Sequence, residues 1–145
     1  MPTRKVSKVL GNRDFLAVTP ATPASDVAVM MRAAGQGAAV VVDRAGRLLG
    51  ICTERDLVFR VVAEGRDPGA TPVRTVMSPE PQTVRADMLF GHALHLMHEA
   101  GVRHMPVVDG FGRPLGIVSS RDALSLEIAH LGRELEQREC IAAIL

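Results

Sequence analysis

The chain has 145 residues, 17 Lys and Arg against 16 Asp and Glu, and an apolar fraction of 47% with four Phe, no Trp and no Tyr. Near-neutral charge without a basic run gives a nucleic-acid backbone nothing to hold, and few aromatics leave no stacking platform for single strands. Two cysteines outside CxxC spacing make no disulfide framework, and neither a signal-peptide pattern nor a membrane-spanning apolar run occurs. The expectation is a reduced, cytoplasmic protein with an aliphatic core, no membrane partner and no nucleic-acid partner.

In chain order, Ser25-Asp26 predicts a helix start, followed by Val27, Met30, Met31 and Ala34 at i, i+3, i+4 and i+7. Gly35, free to take positive φ, ends that helix. Ala38–Val42 reads as a strand, Asp43-Arg44-Ala45-Gly46 as a turn, and Leu48–Cys52 as the returning strand of a hairpin. A second helix opens near Arg55, and Glu64–Pro72 is a turn-rich linker.

The order then repeats. A shift of 66 residues, without a gap, lays Gly50-Ile51-Cys52-Thr53-Glu54-Arg55-Asp56 on Gly116-Ile117-Val118-Ser119-Ser120-Arg121-Asp122, and Val41-Val42-Asp43 on Val107-Val108-Asp109. The helical positions become Ala93, Leu96, Met97 and Ala100, ended by Gly101, so the periodicity survives where identities change. Such a duplication usually means two half-domains that build their cores and sites against each other. Each unit reads strand, helix, strand, strand, helix (βαββα, an α/β or α+β class): repeat 1 over 5–65, a linker over 66–72, repeat 2 over 73–130, and a C-terminal helix extension over 131–145. On the last helix, which runs longer than its partner in repeat 1, Leu124, Ile128, Leu131 and Leu135 keep 4-3-4 spacing. Docking of this seam on its own domain and a homodimer contact both stand open.

The chemistry concentrates in Gly-Ile-x-Thr/Ser-x-Arg-Asp, placed twice where a strand becomes a helix. Glycine lets a ligand approach the backbone, and a helix start offers unpaired N–H groups to an anion. Thr53 or Ser119 can donate to a phosphate oxygen, Asp56 or Asp122 can accept from both ribose hydroxyls, and Arg55 and Arg121 add charge. A single Thr-x-x-Asp is usually a helix cap; two copies at one offset favour a site.

With these motifs on the page, the chain resembles the CBS-domain pair, or Bateman module, of stand-alone bacterial type. The match runs through Val18-Thr19-Pro20, Gly35, Val41-Val42-Asp43, both Gly-Ile motifs, Val73-Arg74-Thr75-Val76-Met77, Thr83-Val84 and Gly101-Val102-Arg103-His104-Met105-Pro106-Val107-Val108-Asp109, roughly residues 5 to 130. The resemblance implies tandem βαββα repeats packed with pseudo-twofold symmetry, and two clefts for an adenosine-containing ligand: AMP, ADP, ATP, NAD or S-adenosylmethionine. Carried over, site one is Thr53, Arg55 and Asp56 with Val76, Met77, Val102, Arg103, His104 and Pro106. Site two is Ser119, Arg121 and Asp122 with Leu10, Gly11, Gln36, Gly37 and Ala38. Arg103 and His104 would make site one the more cationic. Ala39-Val40 replaces the family's Leu-Pro, which implies a wider or an empty site two.

The expected function is a regulatory, signal-transducing sensor, not an enzyme, with the nucleotide as regulatory ligand rather than cofactor, a homodimer as its assembly, and an effector protein the sequence does not identify. The alternative is a structural or oligomerisation module with degenerate clefts. His92, His95 and His98 lack the carboxylates or thiolates that would complete a metal site and read as a solvated helix face. Cys52 reads as a small core residue.

Overall fold

The computed structural model describes residues 3–144. A short helix α1 (Val6–Leu10) precedes β1 (Leu16–Val18), α2 (Ala24–Ala34), β2 (Ala38–Val42), β3 (Leu48–Thr53) and α3 (Glu54–Leu57), which runs on into a π-helical turn over Val58–Val62. After the linker come a 3-10 turn at Val73–Thr75, β4 (Ser78–Pro79), β5 (Val84–Arg85), α4 (Phe90–Ala100), β6 (His104–Val108), β7 (Pro114–Ser119) and α5 (Ser120–Ile144). One sheet has the order β1-β2-β3-β4 and the other β5-β6-β7. In both, the first strand pairs in parallel with the second, and the hairpin β2–β3 or β6–β7 is antiparallel. Both hairpins turn on an aspartate: Asp43 Oδ1 accepts from the Ala45 and Arg47 amides, and Asp109 Oδ1 from those of Phe111 and Arg113.

Alternation along the strands sorts their side chains. Ala39, Val41 and Cys52 enter the first core with Val18, Val27 and Met31, whereas Ala38 and Val40, pointing the other way, are buried where β2 meets β7 of the other sheet. The second core gathers Val84, Phe90, Ala93, Met97, Met105, Val107 and Val118. Fully burying such a side chain contributes about 1.5–3 kcal/mol.

The halves exchange their leading segments. Val6 and Leu10, at the start of the chain, complete the second core, and Val73 and Val76, just after the linker, complete the first. The backbone makes the same exchange: Val6 N–H donates to Met88 O (2.8 Å) and Phe90 N–H to Arg4 O (2.7 Å), mirrored by Val73 N–H to Thr22 O (2.8 Å) and Ala24 N–H to Thr71 O (2.8 Å). These bonds correct the expected helix start. No side chain of Ser25 or Asp26 caps α2; it begins at Ala24 after Pro23, and linker carbonyls take its first N–H groups. The C-terminal stops hold: Gly35 and Gly101 both adopt the left-handed conformation, φ 64 and 67.

Candidate functional site

The two hydroxyl–carboxylate turns share a bond from backbone N–H to carboxylate. Thr53 is extended (φ −112, ψ 167) and the helix begins at the next residue. Its N–H donates to Asp56 Oδ2 at 2.9 Å, its hydroxyl lies 3.2 Å from the same oxygen, and Asp56 N–H donates back to Thr53 Oγ1 at 3.3 Å, a reciprocal capping box. In repeat 2 Ser119 N–H donates to Asp122 Oδ2 at 2.7 Å. Capping therefore fixes each carboxylate at the mouth of its turn.

Around the second turn lies a cleft of about 220 Å³ with walls from both repeats. Gln36, Gly37 and Ala38 face Ser119, Arg121 and Asp122, which brings together six of the eight residues expected at site two. The other two lie elsewhere. Leu10 is buried in the second core, packed over Gly116, and Gly11 is the exposed residue after α1, at φ 57.

The sequence missed Arg13. From the loop between α1 and β1, its Nη1 donates to Asp122 Oδ1 at 2.6 Å, and its Nη2 donates to Asp122 Oδ2 and to Ile117 O, both at 2.8 Å. This two-pronged geometry is the strong form of an arginine–carboxylate pair. The bond to Asp122 raises the guanidinium's affinity for its proton above an already high value, against the lowering effect of partial burial. Gln36 braces the loop by donating to Asp14 O at 3.0 Å. The site expected to be wide or empty is narrowed by this arginine.

Site one departs further from expectation. Val76 is fully buried in the first core, where the exchanged segment docks, so its side chain is not at a cleft surface. Met77 packs over Gly50, and Pro106 is buried in mid-strand opposite Ile117. Arg55 lies over the Phe59 ring, 5.0 Å from its centroid, instead of pointing at the Thr53 turn. Val102 and Arg103 are exposed, and Arg103 O accepts the Ser120 amide at 3.0 Å. His104 lines the second cleft, because as the first residue of β6 it is the register partner of Ser119. Its pKa is lowered, chiefly by burial, while Glu54 and Asp122 pull it back up. His104, expected to add charge to site one, thus lies at site two with Arg13 and Arg121.

His92, His95 and His98 are exposed on α4. Among the described residues no group of three or more His, Cys, Asp or Glu side chains is placed to hold a metal. Cys52 is buried in the first core, and burial pushes its thiol up to about 12. No helix among the described residues is long and apolar enough to cross a membrane.

The model for the CBS domain matches this chain twice, over residues 6–63 and 73–128. An uncharacterised protein from Methanopyrus kandleri is 38% identical over 118 residues, which span 81% of this chain and 60% of that protein. The solved structure of a protein with CBS domains from Burkholderia ambifaria superposes with a TM-score of 0.80 at 31% identity, covering 87% of this chain and 95% of that one. A CBS domain protein from Pyrobaculum aerophilum, complexed with AMP, superposes with a TM-score of 0.76 at 27% identity, covering 88% and 99%. With two repeats matched in tandem and the fold shared across nearly its whole length, the chain belongs to the CBS-domain family.

Proposed function

We propose that this protein is a regulatory module that senses an adenosine-containing nucleotide in the clefts between its repeats. One observation carries the proposal: in Thr53–Asp56 and Ser119–Asp122 alike the backbone N–H of the hydroxyl residue holds the carboxylate three residues on, and the second turn opens on a cleft walled by both repeats. AMP in the Pyrobaculum relative supports the ligand class. A ligand touching both halves shifts their packing by its differential affinity for the alternatives, which is how a small molecule becomes a signal. The nucleotide acts as a regulatory ligand, and the module passes its state to an effector protein without catalysing a reaction. A homodimer fits this role. Leu124, Ile128, Leu131 and Leu135 are all exposed on α5, and Val58 and Val62, which the 66-residue shift lays on Leu124 and Ile128, are exposed as well.

The test is a thermal-shift titration with AMP, ADP, ATP, NAD and S-adenosylmethionine on the wild type, Asp56→Ala and Asp122→Ala. Binding to the folded state alone raises the melting temperature with ligand concentration. The expected outcome is a shift of several degrees that at least one of the two substitutions abolishes. No response to any of the five would favour the scaffold alternative, for which the occupation of Asp122 by Arg13 is the specific observation.

A further inference from the structure

The second cleft already contains a ligand of a kind. The Arg13 fork covers the outward edge of Asp122 with two parallel N–H···O bonds, 2.6 and 2.8 Å long, across 109 residues of sequence. The adjacent hydroxyls of a ribose are also a two-pronged donor, and the same carboxylate edge cannot serve both. Space leads to the same exclusion. At about 220 Å³ the cleft is smaller than the roughly 300–1,000 Å³ of ordinary small-molecule sites, and Arg13 is part of its wall. A nucleoside enters only when Arg13 lets go.

A displaced guanidinium needs a new acceptor. The neighbouring wall supplies cationic Arg121, a histidine that burial keeps towards its neutral form, and the carboxylate of Asp14, which accepts no bond from Arg13; none of them compensates it in this arrangement. A phosphate does, because the planar fork matches two phosphate oxygens as well as it matches a carboxylate. We infer that Arg13 is the specificity-determining residue of the second cleft, exchanging Asp122 for the phosphate of an incoming nucleotide. Phosphate-bearing adenosine compounds then complete the exchange. Uncharged adenosine must break the ion pair and offers the arginine no anion in return. The inference rests on the nucleotide-sensing proposal above and adds to it the ligand's charge class and the residue that selects it.

The experiment is a ¹H–¹⁵N NMR titration of the full chain with adenosine and, separately, AMP, on the wild type, Arg13→Gln and Arg13→Lys. The Ser119 amide, bonded to Asp122, reports the second cleft, and the Thr53 amide, bonded to Asp56, reports the first. In the wild type Ser119 responds to AMP at lower concentration than to adenosine. In Arg13→Gln the ratio of the two affinities falls by about tenfold or more, the scale of one charge-assisted bond, with adenosine tighter and AMP weaker. Arg13→Lys, a point charge without the fork, falls between them. An unchanged ratio at Ser119, or shifts confined to Thr53 in all three proteins, overturns the role of Arg13 and leaves nucleotide sensing standing. Silence at both amides with both compounds, in wild type and Arg13→Gln, defeats this inference, and no response to any of the five compounds in the thermal-shift titration defeats nucleotide sensing itself. The ligand-free spectra show directly whether each variant is folded.

Discussion

Asp56 and Asp122 stand at equivalent points of equivalent turns, yet they meet their cations in different ways. Asp56 has Arg60, one helical turn along the same chain segment, at 3.9 Å, and the Arg60 Nη1 is committed to the carbonyls of Val76 and Met77 at 3.0 and 2.9 Å. Asp122 is gripped by Arg13 from the other end of the sequence, at 2.6 Å. The shift that superposes the turns puts Leu126 at the place of Arg60, and the segment corresponding to the Arg13 loop carries Ser78-Pro79-Glu80. Duplication has kept the backbone device and left the charge around it to segments that do not match. The two clefts can therefore differ in ligand while sharing a fold.

The largest expected difference between the halves is one of stability. Gly50 and Gly116 are equivalent, and each is covered by a residue of the exchanged leading segment, Met77 or Leu10. A Cβ at Gly50 would lie 2.9 Å from the carbonyl oxygen of Ser78, in β4, which is backbone and cannot rotate away. At Gly116 it would meet the end of the Leu10 side chain, which can. Gly50→Ala should cost about 2–3 kcal/mol and Gly116→Ala about 1 kcal/mol, within the range for overpacked sites. Urea unfolding midpoints measure both, and equal losses would mean that β4 yields as easily as a leucine.

A smaller effect separates the cations. Arg60→Leu gives the first helix the residue found in the second. It removes two bonds to the carbonyls that hold the exchanged segment, and because Arg60 is 47% exposed the loss should be about 1 kcal/mol. The same urea midpoints read it. The response of Ser119 to AMP should not change, because Arg60 belongs to the other turn.

What the sequence made legible was whatever repeats or is local. The 66-residue offset exposed the βαββα units, Gly35 and Gly101 marked helix ends, and Thr53–Asp56 announced a turn that turned out to be a capping box. Arg13 escaped for a physical reason: the stretch from Leu10 to Val18 is one residue longer than that from Met77 to Val84, so the repeats lose register where the arginine sits. Its partner is 109 residues away, a separation no local pattern encodes. The burial of Val76 escaped in the same way. A segment that follows one core in sequence can dock into either, and nothing in Val73–Met77 itself says which. Placing His104 required the β6–β7 register, since a one-residue change moves a side chain to the opposite face of a strand.

The smallest expected effect belongs to the residue the two turns share. His104 feels both Glu54, from the first turn, and Asp122, from the second, yet burial dominates and lowers its pKa from the ordinary 6.5. The unfolded chain therefore binds a proton near pH 6.5 that the folded chain still refuses, and stability is lost as pH falls from about 6.5 through the lowered folded value. The exposed pairs His95–Glu99 (3.0 Å) and His130–Glu134 (3.3 Å) are common to both proteins compared, so they cancel in a difference between wild type and His104→Gln. Between pH 7 and 5 the wild type should lose more melting temperature than His104→Gln; parallel curves would mean that the carboxylates offset burial, and a smaller loss in the wild type that they outweigh it. A bound phosphate reverses the balance, because an anion beside the imidazole favours its charged form. With saturating AMP the excess acid loss of the wild type should shrink, an outcome expected only if the phosphate lies on the His104 side of the second cleft.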